Sequence, residues 1–444
     1  MYPFHGLPQE LVEEIKDCID ADSDASTLSA LSRSCKAFLP WCQRRLFSTI
    51  SFRCADYPRQ YVPELHDPLQ AKIEALLDIL QSSPHIAGYV RRLEISITTQ
   101  HNYWVTEEPF ITIMEIINRS GNFIKELCLY AVSFPEQFYD LRALEQKFLQ
   151  PFINPYITSL TISGLVNVPI SLLTESVNLQ DFTINHSALE HAFYPLQGDA
   201  QALYSGPKIR TLTFNPSMGV LETILTARDN PDMHEIVDFS RLRVIRTRSY
   251  PHNMQATKHI IQITKGHLEE FHMRHHINFK YLPYNGSIDF SEASGLRIID
   301  IDVVFPSCSS SLGDPLVDLC SILNTLPEDN SLVQFQLCVY IGFYSRRDGP
   351  ESSLRVNWES LDSELMRMSS GKPLSFHLHM IYSYDEESDT SSDEGEVDME
   401  AENRYSVVED LCRTTYKKLV RDRFPLINNS QHIILKLSQS VEID

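Results

Sequence analysis

Glycine is scarce, with 15 in 444 residues. None stands in a G-x-x-x-x-G-K-[ST] or G-x-G-x-x-G run, so a phosphate-cradling loop is not expected. H-E-x-x-H and G-x-S-x-G are missing as well, which removes the commonest zinc-protease and serine-hydrolase signatures. No apolar run approaches the roughly 18 residues of a membrane-spanning helix. The opening MYPFHGLPQELVEE has neither a basic nor an apolar block, so a secretory signal is not expected. Cysteines are few, odd in number (nine) and without a C-x-x-C pair. That pattern fits reduced, buried thiols and a cytoplasmic or nuclear setting. Positive charge is short too: 38 Lys and Arg stand against 59 Asp and Glu, a net charge of −21. A primary nucleic-acid binder, which must neutralise phosphates, is disfavoured.

What is present is ordinary globular material, 43% hydrophobic and 22% charged. The acidity is concentrated: residues 385–402 hold ten acids and no base, leaving −11 for the rest. Such a tract cannot repay its ordering entropy, so a disordered insertion is expected at about 383–404. Within it, Thr390 and Ser391 each precede an acid by three residues, which suits acid-directed kinases. A solvated loop with no regulatory role is the other reading.

The first fifty residues read as three short helices. Pro8 opens the first, with Leu11, Ile15 and Cys18–Ile19 at helical spacing. Asp24 is a candidate N-cap for the second, which carries Leu28, Leu31 and Cys35. Pro40 opens the third, with Trp41, Cys42 and Leu46. A unit this small cannot cover so many apolar side chains by itself, so part of them should meet a partner or the next domain.

Leu7-Pro8-x-Glu10-Leu11-x3-Ile15, Leu28-x2-Leu31-x3-Cys35 and Trp41-x2-Arg44-Arg45-Leu46-Phe47 together resemble an F-box of the kind found in mushroom-forming fungi. The loop before the second helix departs from it, with Asp24-Ala25 where an Asp-Pro turn is usual. The resemblance implies docking to the Skp-type adaptor of a cullin–RING ubiquitin ligase. Leu7, Pro8, Leu11, Ile15, Leu28, Leu31 and Cys35 would form the adaptor face. Two other readings of the helices stay open: a cap on the following domain, and a helix-turn-helix DNA reader, which the net charge disfavours.

Beyond residue 88 a six-residue pattern, apolar-x-x-apolar-x-apolar, recurs nine times from VRRLEI (90–95) to LVQFQL (332–337). Its spacing averages about 30 residues, room for a strand, a helix and two loops. LSFHLHM and HIILKL read as two closing strands. Helical spacing appears between strands: Leu69 to Leu80, Ile113 to Ile117, Leu316 to Leu323 behind Asp314-Pro315, Trp358 to Met368, and Val407 to Val420. The array resembles a degenerate leucine-rich repeat, and Trp358-x2-Leu361-Asp362-x2-Leu365 is similar to a motif of the same fungal group.

The expected fold is therefore α/β: an all-α F-box over 1–52, a connecting helix over 53–87, and an irregular leucine-rich-repeat-like βα solenoid, or horseshoe, with a parallel sheet over 88–444. A doubly wound α/β domain is the alternative, though it leans on the phosphate-binding glycines that are missing. No cofactor is expected. His272, His275 and His276 put at most two rings on one side of a strand, too few for a closed zinc site.

Alternation places Arg246, Arg248, His272 and Arg274 outward on neighbouring strands, a basic patch fit for an acidic or phosphorylated protein target. The competing expectation is that Glu270, Asp300 and Asp302 neutralise it. The implied function is a substrate receptor that holds an unknown protein target near the ligase, with no chemistry of its own. A scaffold whose N-terminal helices merely cap the repeats is the alternative.

Overall fold

The computed structural model describes residues 25–34, 36, 38–52, 66–97, 102–131, 142–189, 206–215, 220–229, 235–248, 251–274, 288–305, 314–343, 356–384 and 399–443. It is an α/β fold in which strands and helices alternate. The chain forms two compact units, one of residues 1–209 with 217–238, the other of 210–216 with 239–444.

The first unit opens with helices α1 (Ala25–Ser34) and α2 (Leu39–Leu46). Pro40 sits in the first turn of α2, as its sequence suggests. Among the described residues five parallel strands follow in chain order: β1 (Thr49–Phe52), β2 (Arg92–Ile97), β3 (Glu126–Ala131), β4 (Ser159–Ser163) and β5 (Asp181–Asn185). The expected connecting helix is α3 (His66–Ser82), and Ile113 to Ile117 lie in α4 (Glu108–Arg119). α5 (Val220–Asp229) also belongs to this unit.

Among its described residues the second unit holds seven strands, again parallel and in chain order. These are β6 (Thr211–Phe214), β7 (Val244–Arg248), β8 (Glu270–Arg274), β9 (Ile298–Phe305), β10 (Gln334–Phe343), β11 (Leu374–Tyr384) and β12 (Ile433–Ile443). Its helices are α6 (Pro251–Thr264), α7 (Pro315–Leu323), α8 (Trp358–Ser369), α9 (Met399–Arg423) and α10 (Pro425–Asn428). Asp314 caps α7 by accepting the Leu316 N–H, and Asn357 caps α8 by accepting that of Ser360.

Each of the nine six-residue patterns contains a strand start at its third residue. The reason is a backbone stitch repeated along each unit. The carbonyl of Ser48 accepts the N–H groups of both Arg91 and Arg92; that of Arg91 accepts Lys125 and Glu126; that of Lys125 accepts Thr158 and Ser159. The second unit repeats the device from Arg210 through Arg243, Glu269 and Arg297. The first apolar residue of each pattern, such as Ile124 or Leu296, is buried beneath this stitch, and the fourth and sixth enter the sheet core. Leu93, Leu127, Leu160 and Phe182 form one such core row in the first unit, and Ile245, Phe271, Ile299, Phe335 and Phe376 one in the second. Where backbones cross closely, glycine is obligatory: a Cβ on Gly295 would lie 2.3 Å from the Gly266 carbonyl oxygen.

Three differences from expectation stand out. A strand, β1, lies inside the segment assigned to the F-box, so the boundary at 52 falls at the end of a strand paired with β2. The helix expected near Ser406 already begins at Met399, inside the segment expected to be disordered to 404; residues 385–398, with Thr390 and Ser391, lie outside the described residues. Finally, the buried face of α6 is partly polar, which hid it from a search for apolar spacing.

Asp362, from the tryptophan-containing motif on α8, is buried. Its carboxylate accepts the N–H groups of Leu426 and Ile427 at 2.8 and 3.0 Å, capping α10 from a distant part of the chain. Burial pushes its pKa above the ordinary 3.8, and the two N–H groups only partly counter this. The folded state therefore holds this proton more tightly than the unfolded chain. The group's contribution to stability falls as pH rises from 3.8 through the raised value. Asp362→Asn keeps one acceptor and should cost about 1 kcal/mol at neutral pH. Urea midpoints measured from acid to neutral pH should show the deficit largest at the acid end and shrinking as the pH climbs.

Candidate functional site

The face of the second unit's sheet opposite its core carries most of the candidate target-binding residues. Arg246 on β7, His272 on β8 and Asp300 on β9 are register partners, and Arg248 pairs with Arg274 in the next row. The sequence expectation that these four basic residues share one surface is matched by this register. Their charge, however, is largely committed within the sheet.

Arg274 reaches across to β9 with both arms of its guanidinium, Nη1 to Asp302 Oδ1 and Nη2 to Asp300 Oδ2, each at 2.8 Å. His272 lies between two carboxylates, Nδ1 at 3.2 Å from Asp300 and Nε2 at 3.2 Å from Glu270. Arg246 stands 3.8 Å from Glu270. Among the described residues Arg248 enters no ion pair. The competing expectation, neutralisation by Glu270, Asp300 and Asp302, thus describes three of the four.

The acids differ from the bases in exposure. Asp300 and Asp302 are only 4% and 2% exposed, although alternation had assigned them to the open face. The Arg274 side chain is 53% exposed and covers them. Burial opposes the charge on Arg274, but Asp302 and Asp300 outweigh it and hold its pKa above the usual arginine value. Next to Asp302 in register stands Cys338, and beyond it His379. Burial, with Asp302 adding to it, pushes the Cys338 thiol up to about 12, so it stays protonated at neutral pH. Burial and Asp302 likewise raise Tyr340. His379 approaches Ser438 at 2.7 Å, and His377 approaches Ser375 at 2.9 Å. Burial, then Lys436, lowers the pKa of His377. These residues were not singled out from sequence. The signal was available in the fixed offset of each from its strand start, but it needed the strands' true lengths.

The arrangement can present donors, acceptors and a half-covered cation row to another molecule. Among the described residues no group of three or more His, Cys, Asp or Glu is placed to hold a metal ion, and no helix is long and apolar enough to cross a membrane. His275 and His276 lie outside the described residues. The free cysteines that are described, Cys42, Cys128, Cys320, Cys338 and Cys412, are all buried.

The corresponding face of the first unit is built the same way. Arg92 pairs with Glu94 on its own strand at 3.0 Å and reaches Glu126 on β3 at 3.3 Å.

Of the candidate adaptor residues, Leu7, Pro8, Leu11, Ile15 and Cys35 lie outside the described residues. Leu28 is 2% exposed and packs with Phe38 and Cys42 in a small core of α1 and α2. It holds the helices together and has no open face to offer a partner. Leu31, Trp41 and Leu46 are partly buried around that core. Arg44 lies over the Tyr89 ring at 5.9 Å, tying α2 to the turn ahead of β2. No family model matches this sequence, and no curated protein matches it either.

Proposed function

We propose that this chain is the target-recognition subunit of an SCF-type cullin–RING ubiquitin ligase. Its N-terminal helices would dock a Skp-type adaptor as an F-box, and its leucine-rich-repeat-like strands would hold a protein target. The protein then acts by proximity, raising the effective concentration of target lysines near the charged ubiquitin carrier. One observation carries the reading: the F-box-like residues of the first fifty precede a repeating array of parallel strands. The small core of Leu28, Phe38 and Cys42, flanked by partly buried Leu31 and Trp41, is the described remnant of that segment. The charged face over β7–β9 is the target surface we favour, with Arg246 and Arg248 as its least committed cations.

The test is co-purification of the full chain with a Skp-type adaptor, beside a Leu11→Asp/Ile15→Asp variant. A stoichiometric complex lost in the folded variant is expected. A folded chain that binds no adaptor, or a variant that binds as well as the parent, would overturn the proposal.

A second reading has its own support. α2 passes into β1 after only Phe47 and Ser48, and the Ser48 carbonyl anchors Arg91 and Arg92. The helices could therefore be a cap on the first strands of a scaffold protein. Limited proteolysis separates the two: a receptor releases its repeats intact after a cut near residues 52–66, whereas removal of a cap unfolds its neighbour.

A further inference from the structure

β12 is paired on one side only. It matches β11 residue for residue from Ile433 to Ile443, without a bulge. Among the described residues no strand pairs with its outer edge. Natural sheets blunt such edges with proline, bulges, short strands or several charges. This strand is 11 residues long, has no proline, and leaves Ile434 59% and Leu437 38% exposed.

Its sequence is a palindrome of residue types. Leu435-Lys436-Leu437-Ser438-Gln439-Ser440-Val441-Glu442-Ile443 reads from either end as apolar, charged, apolar, Ser, Gln, Ser, apolar, charged, apolar. The two charges are opposite in sign. A strand with this symmetry is complementary to itself when turned end for end about Gln439.

The backbone agrees with that centre. The Leu374 N–H donates to the His432 carbonyl at 2.9 Å, so the even-numbered residues of β12 turn their peptide groups toward β11. The odd-numbered ones, from Leu435 through Gln439 to Ile443, turn theirs outward. An antiparallel partner centred on Gln439 meets these outward groups as hydrogen-bonded pairs: Gln439 with Gln439, Leu437 with Val441, Leu435 with Ile443. On the order of ten N–H···O bonds close across the two-fold axis. Position 436 then stands opposite 442, and 438 opposite 440, on the other face.

We propose that the outer edge of β12 is a homodimer interface, formed by antiparallel pairing with β12 of a second copy of this chain. An isologous contact of this kind closes on itself and leaves no free edge on β12. The occupant is a second copy and not an unrelated extended peptide, because only self-pairing uses the palindrome and its reversed charges.

Sedimentation velocity of the full chain over a wide concentration range tests it. A species of twice 51.0 kDa that dissociates on dilution is expected. Lys436→Glu and Glu442→Lys each set like charges opposite one another at two points, so each variant alone should self-associate about tenfold more weakly or worse. An equimolar mixture of the two restores opposite charges at both points and should recover the dimer. Recovery on mixing also shows that both variants are folded. A chain that stays monomeric at every concentration overturns the proposal. So does a dimer that neither variant weakens.

Discussion

Arg274→Met is expected to lower the stability of the second unit by about 2.5 kcal/mol. Breaking a buried ion pair by removing one partner costs roughly 3–5 kcal/mol, because the remaining charge is left without compensation. Here two carboxylates, Asp300 and Asp302, lose their arginine while their side chains are almost fully covered, and His272 remains beside Asp300. The half-exposed position of Arg274 admits solvent screening and brings the figure below that range. Methionine retains the apolar stem, so the loss reports charge more than packing. Asp300→Asn/Asp302→Asn in the same background should recover part of the loss, since the stranded charges are then gone. Urea denaturation of the parent, Arg274→Met, Asp300→Asn/Asp302→Asn and the three changes combined measures the coupling. Equal losses in every variant would mean that Arg274 acts only as a cover for the strands.

Trp358→Ala should cost more, about 4 kcal/mol, the usual range for emptying an aromatic site in a packed core. Trp358 is fully buried, with its ring 5.6 Å from Phe305 and 5.4 Å from Phe424. Phe424 in turn meets Phe376, and Phe376 stacks on Phe335. The indole therefore joins α8 to β9, α10 and the centre of the sheet. Because Trp358 is the second unit's single tryptophan, Trp358→Phe offers a milder variant whose remaining fluorescence comes from Trp41 and Trp104 in the first unit. In Trp358→Ala the second unit should melt early while those two indoles keep their native signal. Loss of the indole signal together with the drop in far-UV circular dichroism would mean that the two units unfold as one.

The repeats were legible because the pattern records a physical requirement. A buried residue sits under the carbonyl stitch, and two more enter the core on the strand. Phe47-Ser48-Thr49-Ile50-Ser51-Phe52 is a further repeat: β1 starts at its third residue and Ile50 and Phe52 are buried, while Phe47 is only half-buried. Phe47 follows α2 directly, so the helical spacing of Trp41, Cys42 and Leu46 runs into the repeat and hides its start.

The helix α6 was hidden for a different reason. Its buried face includes Asn253, Thr257 and Thr264, and their polar atoms are satisfied locally: Thr257 donates to the Asn253 carbonyl, Thr264 to that of Ile261, and Asn253 to that of Arg248. Core positions written in polar residues leave no apolar period to find. The charged face shows the reverse error. Alternation located Asp300 and Asp302 on the correct side of the sheet, but only the reach of Arg274 from the adjacent strand reveals that they are covered. The neutralisation of the basic patch depends on cross-strand register, which a one-dimensional pattern does not contain.

The two residues between α2 and β1 set a mechanical condition on anything the N-terminal helices hold. Phe47 caps α2 through its backbone N–H, and the Ser48 carbonyl is already engaged by the next strand. With both residues committed by hydrogen bonds, the joint leaves little slack between the helices and the strand. A load gripped by the helices is carried at a fixed bearing to the first strands of the sheet. Its reach is then decided by the geometry of a weld, not by the sweep of a tether.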